Sequence, residues 1–269
     1  YLEAILQFQK LTPDAMLVGA FETAFHQTIP LERRIYGIPW EWYEEYGIQR
    51  LGYHGASHSY VAETLTDMYG STGKAISCHL GGSGSLCAID DGKSVDTSFG
   101  ISLQVGVIQS NRCGDIDPFI VPFLQKKGLS LDQVLDGLTK RGGLLGISGV
   151  SNDLRDVQEA ADAGNERARL AIDVFCNGIV RHIGAYYAEL GGLDHLVFTG
   201  GIGEHGTRIR EAVCHQLKHM GILLDDEKNQ SCTGANTVIS RTDSPVTIHV
   251  IPANEELGVA RKTFAYLRA

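Results

Sequence analysis

The sequence predicts an α/β protein, a mixed sheet covered by helices, and three observations carry that expectation. Short strand-like runs cluster between residues 75 and 97, a long helix with an apolar stripe occupies residues 166–190, and two apolar strand-like runs lead straight into glycine-rich bends. In chain order, Ala15-Met16-Leu17-Val18-Gly19-Ala20-Phe21 reads as a buried strand, and Pro39 opens a short helix reaching Tyr46, since proline suits a first helical turn. A helix is expected over His58–Met68. Strands follow at Ala75–Leu80, Ser85–Ile89 and Ser94–Thr97. Gly81-Gly82-Ser83-Gly84 separates the first two and Asp90-Asp91-Gly92-Lys93 the second pair, whose Asp-Gly step favours a tight hairpin, so the three form an antiparallel meander.

Helices dominate the next stretch. Ser130 and Gln133 make a capping box before Leu131–Leu138, and Asp153–Ala163 is amphipathic. In Glu166–Leu190, Ala171, Phe175, Ile179, Ile183 and Tyr187 recur every four residues, which marks a core-facing stripe. Strand Leu193–Thr199 then enters Gly200-Gly201-Ile202-Gly203. Helix Thr207–Met220, a short strand near Ile222–Leu224, strand Thr247–Ile251 and helix Glu255–Leu267 complete the expected order.

Composition narrows the function. Hydrophobic residues make up 43% of the 269 and charged residues 20%, enough to build a core and too apolar for a disordered tail. The balance of 23 cations against 32 carboxylates, a net −9, argues against nucleic-acid and anionic-membrane partners, and no uninterrupted apolar stretch is long enough to cross a bilayer. Six cysteines without a C-x-x-C pair indicate neither a zinc ribbon nor a disulfide framework, which points to the reduced cytoplasm. The opening Tyr1-Leu2-Glu3-Ala4 has neither an initiator methionine nor a signal peptide, so the chain is expected to be a processed or truncated piece.

Glycines number 32, about 12% of the chain against a usual figure of about 7%. At the two strand-to-glycine bends, backbone N–H groups can converge on an anion that a side chain would block. Gly201-Ile202-Gly203-Glu204-His205-Gly206 also satisfies the G-x-G-x-x-G spacing, with Asp225 about twenty residues on, so a dinucleotide dehydrogenase competes with a nucleotide-phosphate site and with a purely structural glycine cluster. The late position of the motif, after a long helix and an antiparallel meander, weighs against the dehydrogenase. No P-loop spacing occurs. His54 and His58 have H-x-x-x-H spacing without the glutamate or third ligand of a zinc site, and a core or capping role is the plainer reading. Arg112, among Asp115 and Asp117, is by default a structural ion pair; Asp153 and Arg155 a helix cap and a surface charge; Glu255 a first-turn carboxylate.

Together, Phe21-Glu22-Thr23-Ala24-Phe25-His26-Gln27-Thr28, Tyr53-His54-Gly55-Ala56-Ser57-His58, His79-Leu80-Gly81-Gly82-Ser83-Gly84-Ser85, Gly92-Lys93-Ser94-Val95-Asp96-Thr97-Ser98, Gly114-Asp115-Ile116-Asp117-Pro118, Gly200-Gly201-Ile202-Gly203-Glu204 and Asn254-Glu255-Glu256 resemble the acetate kinase family over nearly the whole chain. The resemblance implies the actin-like ATPase fold of sugar kinases and heat-shock ATPases, with its first domain incomplete. Residues 1–25 would be the remainder of the N-terminal domain, 26–252 the nucleotide-binding C-terminal domain, and 253–269 a closing helix packing back on the first. It implies reversible phosphoryl transfer between ATP and acetate or another short-chain carboxylate, with Mg²⁺, in a homodimer.

The same resemblance assigns roles. His54 would hydrogen-bond the transferring phosphoryl group, Arg112 would stabilise its charge and orient the carboxylate, and Glu22 would be the metal-side carboxylate. His79, Leu80, Gly81, Gly82 and Ser83 would wrap the ATP phosphates; Asp153, Leu154 and Arg155, with Gly201, Ile202, Gly203, Glu204 and His205, would line the nucleoside pocket; Glu255 would hold Mg²⁺ through water. Three departures stand out: Glu22 replaces the family's Asp, Gly82 its usual Asn, and Ile101-Ser102-Leu103-Gln104-Val105 a common Thr-Pro-Leu-Glu run, so the acyl pocket is expected to be reshaped. The family's opening strand and Asn/Ser-rich phosphate loop, with a Mg²⁺-side Asn, a Lys near ATP and a second substrate-binding Arg, have no counterpart. A truncated chain is therefore expected to be inactive or severely impaired by itself, a catalytically impaired nucleotide-binding relic being the non-enzyme alternative.

Overall fold

The computed structural model describes residues 2–268 and contains a six-stranded mixed sheet in the order β3-β2-β1-β4-β6-β5. The strands are β1 (Lys74–His79), β2 (Ser85–Asp90), β3 (Lys93–Thr97), β4 (His195–Thr199), β5 (Thr237–Val238) and β6 (Thr247–Val250). β1, β2 and β3 form the expected antiparallel meander, and Asp91 and Gly92 turn its second hairpin with φ of 44° and 78°, as the Asp-Gly step requires. β1, β4 and β6 run parallel, so their C-terminal ends reach one edge of the sheet together.

Helices precede and cover that sheet: α1 (Leu2–Leu11), α2 (Leu31–Arg34), α3 (Trp40–Tyr46), α4 (Gly55–Tyr69), α5 (Ile120–Lys126), α6 (Leu131–Lys140), α7 (Gly143–Ser148), α8 (Leu154–Asp162), α9 (Glu166–Leu190), α10 (Gly200–His205), α11 (Thr207–Gln216), α12 (Asp226–Ser231) and α13 (Glu255–Arg268). Strand alternation sorts the core into two layers. Ile76, Cys78, Leu86 and Ala88 face α9, whose Ala171, Phe175, Ile179 and Ile183 fill the larger core. Ala75, Cys87, Ile89 and Val197 face α4 through Val61, Ala62 and Leu65. By the same alternation Ser77, His79 and Ser85 project toward α4, which gives that apolar layer a polar end where the meander meets His54.

α9 keeps its expected limits because both ends are capped: Asn165 accepts from the Ala168 N–H at 3.0 Å, and Gly191 closes the helix in the left-handed region. The six cysteines are all free thiols, four of them buried. Other expectations need correction. Residues 15–21 form no strand; no strand among the described residues pairs with them, and Met16, Leu17 and Phe21 are exposed, so the apolar run has neither ladder nor core. Ile222–Leu224 makes only one bridge, Leu224 to Ser240. The helix from Thr207 stops at Gln216, and Lys218–Met220 is a separate 3₁₀ turn ending at Gly221. Gly200–His205, read as a bend, is itself a short helix.

Phe175 is nearly fully buried at the centre of the α9 stripe, so Phe175→Ala should lower stability by about 3–5 kcal/mol. Asn165→Ala, which removes only the cap, should cost about 1 kcal/mol. Urea denaturation midpoints measure both. Equal losses would contradict this division between core and cap.

Candidate active site

The parallel pairing of β1 with β4 sets His79 opposite Thr199, so both glycine bends leave the sheet at the same edge. Ligand sites of parallel sheets form at that edge. Leu80 N–H donates to the Thr199 carbonyl at 2.8 Å, and the Leu80 carbonyl accepts from Ile202 N–H at 2.8 Å and Gly203 N–H at 3.2 Å. Gly200 makes this close approach possible: its φ is 74°, and a Cβ there would lie 2.8 Å from the Leu80 carbonyl oxygen. The bends border one cleft of about 650 Å³, with Gly81 and Gly82 on one wall, Gly201, Ile202 and His205 on the second, and Asp153, Leu154 and Arg155 on the third. A Cβ on Gly201 would meet nothing within 4 Å, so its backbone stands open to the cleft. The Ile202 and Gly203 amides do not converge on that space, because both are spent on Leu80.

Five residues assigned to nucleotide binding do not border this cleft. The Leu80 side chain is fully buried. Gly203 packs against the Phe198 backbone, and Glu204 Oε1 accepts from Ala253 N–H at 2.9 Å, which ties α10 to the segment before α13. His79 and Ser83 turn toward a second group of side chains. Asp153 is the N-cap of α8, accepting from Arg155 N–H at 2.9 Å and pairing with the exposed Arg155 guanidinium, which holds its carboxyl down at about 2.

That second group contains His54 and Arg112. His54 precedes α4 in a left-handed conformation, φ 55°, uncommon for a residue with a side chain. Gly55 follows because a Cβ there would overlap the Glu22 carbonyl oxygen at 2.2 Å. The His54 ring lies on the His79 ring with centroids 4.2 Å apart, and Ser57 Oγ is 2.8 Å from His79 Nδ1. Burial, then the neighbouring His79, His26 and Arg112, lower the His54 imidazole to about 3. It is therefore neutral at physiological pH.

Arg112 forms no ion pair among the described residues. Its Nη1 donates at 3.1 Å to both Ser83 Oγ and Gln109 Oε1, while Ser83 donates to the same Gln109 oxygen at 2.9 Å. Gln109 is fixed in turn by donating from Nε2 to the Leu103 carbonyl at 2.8 Å. The turn over residues 109–112 also seats the N-terminus of α7, whose Leu144 and Leu145 N–H groups bond to the Gln109 and Ser110 carbonyls. Neutral partners leave the guanidinium's charge uncompensated for an incoming anion. Gln109 and Ser77 went unmarked in the sequence, and Ser57 and Ser85, though inside quoted motifs, were given no role, because only the fold brings these side chains to this group.

Glu22 and Glu255 meet where α4 and α13 begin. Glu22 Oε2 accepts from the Ala56 N–H at 3.4 Å. Glu255 has its carboxyl raised by burial and then by the negative charge of Glu22. Two hard carboxylates repelling each other fit a divalent cation such as Mg²⁺ chemically. A His54–His58 metal site does not fit: both His58 ring nitrogens are engaged by serines. The G-x-G-x-x-G spacing is likewise not a dinucleotide fingerprint here, because Asp225 caps α12 and pairs with Lys228.

The sequence profile of the Acetokinase family matches residues 1–261. The chain is 48% identical to the acetate kinase of Carboxydothermus hydrogenoformans over 95% of its own length and 65% of that protein's. It is 49% identical to the propionate kinase of Citrobacter rodentium, covering 94% of this chain and 63% of the relative. The crystal structure of Porphyromonas gingivalis acetate kinase superposes with a TM-score of 0.95 at 38% identity, over 99% of this chain and 68% of that one. The fold is thus the expected mixed α/β, actin-like ATPase arrangement, and the chain spans about 65% of the length of the curated relatives it matches.

Burial lowers His26 and His79 to about 4, and His54 to about 3, from 6.5. Their imidazoles should remain neutral as pH falls to about 5, checked by NMR titration of the ring protons. Unfolded imidazoles gain protons from about 6.5 downward. These three residues therefore contribute full stability above 6.5, lost progressively as the solution is acidified toward 4 and then 3. Ring titration near 6.5 for any of them would contradict the site as described.

Proposed function

The chain belongs to the acetokinase family, and on that premise we propose that it carries the nucleotide cleft and the phosphoryl-stabilising groups of a carboxylate kinase. The reaction is reversible, in-line transfer of the ATP γ-phosphoryl group to a short-chain carboxylate such as acetate, propionate or butyrate. A carboxylate oxygen forms the new P–O bond, the bond from the γ-phosphorus to the β–γ bridging oxygen breaks, and acyl phosphate and ADP result. No base is required, because the carboxylate is already ionised at neutral pH.

One observation carries this reading. The glycine bend after β1 opens on the cleft at Gly81 and Gly82, while its ends hold the two charge-stabilising groups: His79 stacks on His54, and Ser83 accepts from Arg112. A polyphosphate along the bend would therefore present its terminal group to an imidazole and a guanidinium. In a loose transition state charge spreads over equatorial oxygens, so fixed donors at those oxygens lower the barrier. Gly81, Gly82 and Gly201 would contact phosphates, and Asp153 to Arg155 with His205 the nucleoside. Glu22 and Glu255 would hold Mg²⁺ through water, an ion that when bound offsets phosphate charge.

α13 shares a cleft of about 400 Å³ with residues Leu17–Glu22, which supports its return to the first domain, with residues 26–252 as the second. The free cysteines fit a reducing cytoplasm, and the family resemblance supports a homodimer. The altered run Ile101–Val105 at the expected acyl pocket favours one other reading, a nucleotide-binding relic that binds ATP without turnover.

Hydroxamate trapping of acyl phosphate from ATP and each of the three carboxylates tests the reaction, and ATP binding without any acyl phosphate from a chain extended to the relatives' full length would select the relic. Arg112→Ala should reduce turnover by about 10²–10³ with ATP affinity retained, since its donors act mainly on charge developing in the transition state. An unchanged rate would reject its role.

A further inference from the structure

The polar end of the α4 layer contains a hydrogen-bond chain that phosphoryl transfer as described above leaves unused. Ser85 Oγ lies 3.0 Å from His54 Nδ1 and 2.8 Å from His58 Nε2, and Ser77 Oγ lies 2.9 Å from His58 Nδ1. Ser77, Ser85 and His58 are completely buried, so their protons must find acceptors within the protein. A hydroxyl has one proton and a neutral imidazole one N–H, so Ser85 can donate to only one of its two rings. The tautomers of His54 and His58 are thereby linked.

The possible arrangements are not equivalent. When Ser77 donates to His58 Nδ1, His58 Nε2–H to Ser85 and Ser85 to His54 Nδ1, every buried proton is bonded, and His54 keeps its own proton on Nε2. In the reverse direction His54 Nε2 is a bare lone pair, and the Ser77 proton has no acceptor in the chain. If both rings donate to Ser85, the Ser85 proton is stranded. An unmet buried donor is costly, so the first direction prevails. His26 follows the same logic beside it: its Nε2 faces the Tyr53 carbonyl at 2.9 Å, which only accepts, so the proton is on Nε2 and Ser94 donates to Nδ1.

We propose that Ser85 and His58 are positioning residues that, with Ser77, hold His54 as the neutral Nε2–H tautomer, so that it offers the transferring phosphoryl group a donor and not a lone pair. The left-handed backbone at His54 and the His79 ring against its face fix the direction of that donor. His54 thus contributes a hydrogen bond without charge, and Arg112 contributes the charge. The catalytic half of the proposal rests on the kinase reading; the tautomer does not.

Imidazole ¹⁵N–¹H correlation NMR on this chain reads the tautomer directly. Both His54 and His58 should carry their proton on Nε2, and a proton on Nδ1 of either ring would overturn the proposal. In Ser85→Ala the His54 Nδ1 resonance should move to that of an unbonded ring nitrogen; an unmoved resonance would also overturn it. Should that variant fail to fold, the unsubstituted protein's tautomers still decide. In the hydroxamate assay on the chain extended to the relatives' length, Ser85→Ala should lower kcat about tenfold or more with KM for ATP unchanged. His58→Gln, whose amide nitrogen replaces Nε2 as donor, should retain more activity than His58→Asn, and equal losses would reject the positioning role. Absence of turnover on every carboxylate, with both tautomers as expected, would refute the kinase reading and leave the hydrogen-bond chain standing.

Discussion

The Leu80 carbonyl joins the two halves of the site. Parallel strands deliver two glycine bends to one edge, but adjacency alone would leave them as separate loops. By accepting from both Ile202 and Gly203, Leu80 locks the second bend against the first, at a spacing only Gly200 permits. Two amides that a pattern-based reading would aim at phosphate are used to build the site rather than to bind in it. On the proposed reading, phosphate binding then falls to Gly81, Gly82 and Gly201, which border the cleft.

From that junction the rest follows by alternation. Odd-numbered positions of β1 and β2 face α4, and at their glycine-bend end these are His79 and Ser85, with Ser77 one step back. The apolar layer made by Ala75, Cys87 and Ile89 with Leu65 therefore ends in a dry polar cluster beside His54. Burial there keeps the histidines neutral, and neutrality makes their hydrogen bonds directional. Arg112, outside that layer and held by neutral partners, remains the cation.

Local chemistry made much of this legible in the sequence. The Asp-Gly hairpin, the Ser130–Gln133 capping box and the α9 stripe are each specified within a few residues, and each forms where expected. Residues 15–21 were not legible, because an apolar run says nothing about whether a partner strand lies beside it. The Gly201–Gly206 spacing matched a dinucleotide motif because spacing carries no sheet order. The roles of Gln109 and Ser85 were invisible for a related reason: one reaches Arg112 through a tight turn and the other reaches His54 from 31 residues away.

The central claim is that both bends grip a single polyphosphate. Backbone amide NMR during titration with ADP and then ATP measures it most directly. The account requires the Gly81, Gly82 and Gly201 amides to respond together along one binding isotherm, with Ile202 and Gly203 remaining bonded to Leu80. Perturbation of only one bend, or saturation of the two at separate nucleotide concentrations, would contradict it.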